Sequence, residues 1–415
     1  MGDQRSAPGR GSITWWLILL AVALAAPAGC ATSPAYNPDG SATGEYAFWP
    51  PAPNEPRIQF LRSFRLSADV EPKQSALDRI IFGSDVQVLP IGKPYGVEMW
   101  KGRIYVCDIT NPGVVILDLE KRETRVMLTR GVEQMAQPTD LAIADDGMKY
   151  VIDRRLGRIF VFNADDRHIT TFGEKGLIPS GVAVHGDELF VADFQTQSVL
   201  VLDRYKGTQL RSIGGPGGGQ GEFIRPLGMH VDAAGEVYVA DAIRGRLQKF
   251  DGEGDVTLAI GEIADTPGNF VRPKHVTVDT EGVVYVVDAA FQNVQMFNRE
   301  GELLMYFGGA GDFPGAMSLP AGVTVHDGSL EFFQALVHPA FVAERLVVVT
   351  NQFGSNKVAV YAMGRLREGH TVDDIAPYAD ELKPPTEQDN AGDVLGGEIL
   401  APGPGAEAAP EQGER

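Results

Sequence analysis

The stretch Val284-Tyr285-Val286-Val287-Asp288 is an apolar strand sequence that ends in an acidic residue. Four other stretches of the chain repeat it, and a further copy ends in threonine instead of an acid. In chain order these copies are residues 104–108, 150–153, 189–193, 237–241 and 346–350. A unit that recurs roughly every 40 to 50 residues around one strand is typical of a β-propeller, so the repeat predicts an all-β ring of blades.

Each of the six repeats opens with a proline, followed by a short apolar strand. The spacings between successive prolines are 44, 41, 47, 47 and 47 residues. Proline is tolerated at the first residue of a strand because its missing N–H breaks no ladder there. A third apolar strand and a fourth strand ending in Phe-Gly or Ile-Gly complete most repeats, which predicts four strands per blade. The prolines are Pro94, Pro138, Pro179, Pro226, Pro273 and Pro320.

The order Pro-x-Gly-Val, Tyr-Val-x-Asp, Val-x-Val-Phe-Asp and Phe-Gly resembles the NHL repeat. The resemblance extends over residues 57–363 and implies a six-bladed β-propeller. The segment 57–64 alternates like the last strand of a blade, whereas the final repeat has no such strand of its own. We therefore expect the N-terminal strand to close the ring as the outer edge of the last blade, which leaves only short edges exposed.

The first residues have the features of a signal for export. Arg5 and Arg10 precede an apolar run at 13–26, which is short for a membrane span. Ala28-Gly29-Cys30 then resembles the lipobox of bacterial lipoproteins, although Pro27 replaces the usual leucine. The resemblance implies a signal peptide over residues 1–29, cleavage before Cys30 and acylation of its thiol and new amine. The alternative is an ordinary secretory signal with a chance cysteine.

Lipidation predicts an address in the bacterial cell envelope. Several acyl chains anchor a protein stably, because each buried methylene contributes about 0.8 kcal/mol. Lipoproteins held at the inner membrane often carry aspartate after the acylated cysteine, whereas this chain has Ala31. The expected location is therefore the outer membrane, on its periplasmic or its surface side.

Composition divides the rest of the chain into three parts. Residues 30–56 are rich in Pro, Ala, Ser and Gly and predict a flexible tether, and residues 57–365 contain the repeats. Residues 366–415 are acidic and predict a disordered tail. The 415-residue chain has a net charge of −19, which disfavours nucleic acid as a partner.

Two kinds of residue in the repeated strand invite a chemical interpretation. Its terminal acids lie at the same point of different blades and cannot converge on one metal, so we expect each to accept backbone N–H groups of the following turn. With Cys30 acylated, Cys107 has no second thiol for an internal disulfide, and its place in a strand predicts a buried, inert side chain.

The residue two places after each repeat proline is expected to face the central channel. Four of these six residues are glycine, and the exceptions are Asp140 and His275. They belong to the second and fifth repeats, which are opposite each other in a six-fold ring. A calcium or zinc ion between them is one possibility, but two ligands across a wide channel make a poor metal site without a third. We therefore predict no cofactor and assign no catalytic residue.

Two further groups of residues are candidate contacts for a partner. Lys93, Arg225, Arg272 and Lys274 flank the prolines at the channel mouth. On an acidic protein they either attract an anionic ligand or acidic partner, or are simply solvated. The last repeat contains an apolar insertion with Phe332-Phe333, which is expected to pack on the propeller as a helix or to form a patch that meets a partner.

These observations leave two function classes open. The leading interpretation is a non-enzymatic, membrane-anchored interaction scaffold that binds other envelope proteins. Some lipidated bacterial proteins with NHL-like propellers accompany multihaem cytochromes, so the resemblance makes such cytochromes candidate partners. The alternative is a metal-dependent lyase or a lactonase-like hydrolase with its site in the channel. Related enzymes take several His or acidic ligands from different blades, and in this chain only Asp140 and His275 are available.

Overall fold

The computed structural model describes residues 46–71, 89–127, 129, 134–173 and 176–375. These residues form an all-β propeller of six blades, as the repeat predicts. Each blade is an antiparallel sheet, and the first strand of a blade contacts the first strands of the two neighbouring blades. The first strand of blade 6 also contacts that of blade 1, so the ring is closed. No helix in the described part of the chain is long and apolar enough to cross a membrane.

The strands of each blade follow one another from the channel outward. Blade 1 contains Pro94–Trp100, Arg103–Asp108, Gly113–Asp118 and Glu123–Met127. Blade 2 contains Pro138–Ile143, Lys149–Asp153, Arg158–Phe162 and His168–Phe172. Blade 3 contains Pro179–His185, Glu188–Asp193, Ser198–Asp203 and Gln209–Ile213. Blade 4 contains Pro226–Val231, Val237–Asp241, Arg246–Phe250 and Val256–Ile260.

Blade 5 contains Pro273–Val278, Val284–Asp288, Asn293–Phe297 and Leu303–Gly308. Blade 6 contains Pro320–His326, Phe341–Asn351, Val358–Leu366, Ile58–Phe64 and Phe48–Trp49. A short parallel pair, Gly215–Pro216 with Glu222–Phe223, lies in the glycine-rich connection between blades 3 and 4. The described 3-10 helices are Ser67–Asp69, Leu330–Phe332, Gln334–Leu336 and Val372–Asp374.

The hydrophobic core is divided into six clusters, each between the facing sheets of two neighbouring blades. A blade is therefore covered on both sides, and its second strand is apolar up to its terminal acid, as in Val284–Asp288. The tyrosine of this strand is fully buried in four blades. This two-sided burial explains why the repeated stretch is continuous in apolar residues instead of alternating.

The ring closes as the sequence predicts, with Ile58–Phe64 paired antiparallel to Val358–Leu366. The sheet also extends further upstream, because Phe48–Trp49 pairs with Ile58–Phe64 as a fifth strand. Trp49 packs against Phe307 and Tyr361. Residues 46–56 were predicted to be part of the flexible tether. The structure corrects this prediction, because the pairing of Phe48–Trp49 and the packing of Trp49 attach the segment to the propeller.

The C-terminal boundary also differs from the expectation. Residues 366–375 were predicted to begin the acidic tail, yet Val372–Asp374 forms a 3-10 helix and Ile375 is buried in the cluster between blades 6 and 1. The apolar side chains of Leu366, Val372 and Ile375 provide the contacts that the acidic composition conceals. Cys30, the signal peptide and residues 376–415 lie outside the described residues.

The acids of the repeated strand cap turns, as predicted. Asp108 accepts the N–H groups of Gly92, Lys93, Thr110 and Asn111, and the corresponding acids of blades 2 to 5 make the same kind of bonds. In blade 6 this role falls to Asn351, whose side-chain oxygen accepts the N–H of Ser318. The sequence repeat placed Thr350 at this position, which is wrong by one residue, because Asn351 pairs with the blade proline.

The apolar insertion of blade 6 forms two short 3-10 helices, Leu330–Phe332 and Gln334–Leu336. Phe333 is 1% exposed and packs in the cluster between blades 6 and 1. It is therefore unavailable to a partner, which corrects one of the candidate contacts. Phe332 stays 36% exposed at the surface. The insertion thus packs on the propeller, as one of the two alternatives predicts, but without forming an α-helix.

Candidate functional site

The six first strands all begin with their proline at one end of the ring, which we call the proline face. At this face the residue after each capping acid or Asn351 donates its backbone N–H to the carbonyl of the residue before the proline. This bond recurs in all six blades and fixes the loops around the channel mouth. The insertion of blade 6 follows the other end of its first strand and defines the opposite, insertion face.

Asp140 and His275 meet across the channel. His275 Nε2 lies 3.4 Å from Asp140 Oδ1, although the two residues belong to opposite blades. Both side chains are buried, at 2% and 6% exposure. The expectation of two groups separated by a wide channel is therefore wrong: the pair spans the channel and closes it at this level.

The glycines at the equivalent positions explain why the channel is narrow. A Cβ atom on Gly96 would lie 2.5 Å from Asp140 Oδ1, and one on Gly228 would lie 2.4 Å from His275 Cδ2. On Gly322 it would lie 2.5 Å from the carbonyl oxygen of Tyr95 in the next blade. The glycines let neighbouring first strands approach closely, which leaves space at this level for the Asp140–His275 pair.

A second layer of polar residues lies beside this pair. The hydroxyl of Thr324 donates to Glu98 Oε2 at 2.8 Å, and Glu98 is close enough to interact electrostatically with both His275 and Asp140. Burial raises the pKa of Glu98 to about 7, despite the hydrogen bond from Thr324. Burial and the neighbouring His275 lower the pKa of His230 to about 4. Sequence reasoning did not identify Glu98.

The charge of His275 follows from its neighbours. Burial alone lowers its pKa, but the Asp140 carboxylate, and to a lesser extent Glu98, raise it, and the net pKa is above the ordinary value. Asp140 also accepts the N–H groups of Leu141 at 3.0 Å and Val182 at 3.1 Å. The contact between Asp140 and His275 joins blades 2 and 5, and it is charge-assisted when His275 is protonated. The hydrogen bond from Val182 adds blade 3 to the same carboxylate.

The geometry also bears on the metal that was considered for the channel. In the ranges that the structure describes, no three His, Cys, Asp or Glu side chains are grouped to hold a metal ion. Both oxygens of Asp140 already accept hydrogen bonds from the backbone, and Oδ1 also faces His275. The donor set fits a buried ion pair and lacks the third ligand that a zinc site needs.

Above the pair, at the proline face, the structure places the four predicted cations around the mouth. Lys274 is only 7% exposed, and its Nζ lies 5.4 Å from the centroid of the Tyr95 ring. Burial, together with Arg272 and Lys93, lowers the pKa of Lys274 to about 7. Arg225 and Arg272 are exposed and interact electrostatically with Tyr95.

Sequence reasoning missed Arg154, which comes directly after the capping acid of blade 2. Its guanidinium lies 4.1 Å from the centroid of the Phe194 ring, and that of Arg225 lies 5.3 Å from the same ring. Burial lowers the pKa of Arg154, and Arg225 lowers it further. Its position in the repeat could have identified it. The residue after each capping acid is hydrogen-bonded to the residue before the blade proline, and it therefore lies at the proline face.

A second aromatic ring, that of Phe353 on blade 6, lies near two cations. The ammonium of Lys93 is 5.2 Å from the centroid of the Phe353 ring, and that of Lys357 is 6.0 Å from it. Phe353 is 52% exposed. It also lines a surface pocket of about 220 Å³, together with Phe313 and Met317. The aromatic surface of the mouth therefore continues into a pocket between blades 5 and 6.

The cations of this region form what we call the basic mouth. No salt bridge within the described ranges includes any of them. The nearby carboxylates of Asp108 and Asp288 accept backbone N–H groups instead. The basic mouth consists of Lys93, Arg154, Arg225, Arg272, Lys274 and Lys357.

Comparison with known proteins agrees with the fold. Residues 174–254 match the model of a family described as "6-bladed beta-propeller". The chain is a six-bladed β-propeller. A solved structure of a protein of unknown function from Bacteroides thetaiotaomicron is similar, with a TM-score of 0.51, 14% identity, and coverage of 66% of this chain and 70% of the other.

Two further solved structures are similar. One is an auxiliary nutrient binding protein from Bacteroides ovatus, with a TM-score of 0.50, 11% identity and coverage of 68% and 71% of the two chains. The other is the virginiamycin B lyase from Staphylococcus aureus, with a TM-score of 0.45, 12% identity and coverage of 67% and 86%. At such identities the similarity concerns the fold alone.

Proposed function

We propose that this chain is a non-enzymatic interaction scaffold of the bacterial cell envelope, anchored through lipid on Cys30, whose proline face binds an acidic partner. The observation that carries the proposal is the basic mouth. Six cations gather at one end of the ring in a chain with a net charge of −19, and no salt bridge among the described residues includes them.

Gathering like charges in this way opposes folding, because the cations repel one another and some are partly removed from water. The lowered pKa values of Lys274 and Arg154 reflect this cost. An anionic surface that docks on the mouth would relieve the repulsion. The acidic remainder of the protein would repel the same partner. The electrostatic field of the protein therefore favours an encounter in which the partner meets the proline face.

The channel beneath the mouth supports a scaffold more than a catalyst. Asp140 and His275 close the passage and join blades 2 and 5, and Asp140 also accepts an N–H group of blade 3, so the pair presents no reactive group at the surface. A metal-dependent lyase or hydrolase would need further ligands beside this pair, and no specific feature of the site favours one. Multihaem cytochromes of the envelope are candidate partners, provided that they present an acidic surface.

The test is quantitative capture of partners from the membranes of the source cell, using the lipidated protein. The double variant Arg225→Glu/Arg272→Glu reverses two exposed cations of the mouth. The control Arg167→Glu/Arg299→Glu makes the same charge change at exposed arginines on the insertion face. We expect the wild type and the control to capture the same acidic proteins, and the mouth variant to lose at least about 90% of them. Equal capture by both variants would refute the proposal.

A further inference from the structure

The floor of the basic mouth contains a buried amine with no acidic partner. Lys274 is 7% exposed, and no salt bridge of the described residues includes it. Asp288, the carboxylate that acts on it electrostatically, is occupied by the N–H groups of Val271 and Arg272. Buried lysines are normally paired, because an isolated ammonium is costly to remove from water. An unpaired one at the base of an open mouth indicates that its counter-ion comes from outside the chain.

Three guanidinium groups lie within electrostatic range of Tyr95, beside Lys274. Arg154, Arg225 and Arg272 all act electrostatically on Tyr95, the residue whose ring lies beneath the Lys274 ammonium. Phe194 lies against Arg154 and Arg225, and this stacking limits the orientations of their planar groups. Guanidinium groups bind carboxylates and phosphates in pairs of parallel hydrogen bonds, and are suited to an oxyanion held between them.

We propose that the basic mouth is a built site for one compact oxyanion, a carboxylate or a phosphate group, held over Tyr95 by Lys274 and surrounded by Arg154, Arg225 and Arg272. This inference rests on the proposed function and names the chemistry that the mouth recognises. The oxyanion belongs either to a small free molecule or to an acidic side chain of the partner. The closed channel below limits its depth, because Asp140 and His275 occupy the next level.

Proton uptake is expected to accompany binding. The groups that face Lys274 are Tyr95, Arg272, Lys93 and Asp288, and burial together with the two cations lowers its pKa to about 7. At pH 8 most free molecules therefore have a neutral Lys274. A bound oxyanion raises the pKa of this lysine again, so close to one proton is taken up at pH 8 and almost none at pH 6.

The experiment is isothermal titration calorimetry at pH 8 in two buffers with different ionisation enthalpies. The probes are inorganic phosphate, succinate and an amidated Glu-Glu-Asp peptide. The variants are Lys274→Met, Arg225→Gln at the exposed rim, and Lys121→Met on the insertion face as a control. Circular dichroism and thermal unfolding establish that each variant is folded, and Arg225→Gln keeps the test valid if Lys274→Met does not fold.

We expect at least one probe to bind, with Lys274→Met and Arg225→Gln weakening it at least 10-fold and Lys121→Met leaving it unchanged. Binding of phosphate or succinate identifies a free anion as the source, and binding of the peptide alone identifies the partner. If no probe binds the wild type, or if the mouth variants bind as well as the control, the oxyanion site is refuted. Should Arg225→Glu/Arg272→Glu still abolish partner capture in that case, the scaffold function stands without it.

Discussion

Replacing Glu98 with glutamine removes a carboxyl group that the channel holds in its neutral form over an unusual pH range. Burial raises the pKa of Glu98 from an ordinary 4.5 to about 7. Because the folded-state pKa is raised, protonated Glu98 contributes stability that is fully present below pH 4.5 and is lost as the pH rises through about 7. Glutamine keeps the shape and can still accept the Thr324 hydroxyl, but carries no charge at any pH.

The magnitude follows from the shift. Each pKa unit corresponds to about 1.4 kcal/mol, so moving the pKa of a carboxyl from 4.5 to about 7 represents about 3.5 kcal/mol at alkaline pH. Glu98 is partly exposed to solvent, and screening reduces the expected gain to about 2 kcal/mol. We therefore predict that Glu98→Gln and the wild type unfold with equal free energies near pH 4.5. The variant should be more stable by about 2 kcal/mol at pH 8.

The assay is urea unfolding followed by tryptophan fluorescence at pH 4.5, 6, 7 and 8. Glu300→Gln, in an exposed turn of blade 5, controls for the loss of one negative charge. The reasoning would be refuted by a stability difference between Glu98→Gln and the wild type that does not change with pH. A Glu98→Gln variant that is destabilised at pH 8 would refute it equally, since the carboxylate would then be a favoured charge in the channel.

Three other predictions concern the pair, the turns and the closing strand. Asp140→Asn should lower the pKa of His275 below its ordinary value, because burial then dominates; an unchanged titration of this histidine by NMR would contradict the contact. Asp288→Ala should cost about 3 kcal/mol of unfolding free energy in urea, because backbone N–H groups lose their acceptor, and a loss under 1 kcal/mol would exclude the capping role. Phe60→Ala should cost about 3 to 5 kcal/mol by the same measurement, since its buried ring packs on Tyr361, whereas the exposed Leu304→Ala should cost little.

The blade architecture could be predicted because one constraint acts on every repeat. Both sides of each sheet are covered, so the middle of the second strand must be apolar, and the terminal acid of blades 1 to 5 must cap the turn beside the blade proline. The closing strand was also predictable, because segment 57–64 matches the missing outer strand of the last blade. These features depend on local pattern and on the need to satisfy the sheet edges.

The site was less predictable because it depends on distances between blades. Asp140 and His275 could be placed opposite each other from the repeat, but their contact depends on how closely the four glycines let the first strands approach. Glu98 lies two residues beyond the glycine position, and nothing in its sequence neighbourhood marks it as a residue that interacts with the Asp140–His275 pair. Phe333 was predicted to be a candidate contact, although it is buried. Its burial could not be predicted because it depends on blade 1, which is more than two hundred residues away in the chain.

The most direct test of the account is photo-crosslinking from the two faces of the propeller. Phe353 and Phe332 are both exposed phenylalanines, at 52% and 36%, on the proline and insertion faces respectively. Each is replaced in turn by a photoreactive phenylalanine analogue in the lipidated protein, which is then irradiated in the membranes of its own cell. We predict an adduct with an acidic envelope protein from position 353, abolished by Arg225→Glu/Arg272→Glu, and none from position 332. An adduct of equal yield from position 332, or none from position 353, would contradict the assignment of the proline face as the binding surface.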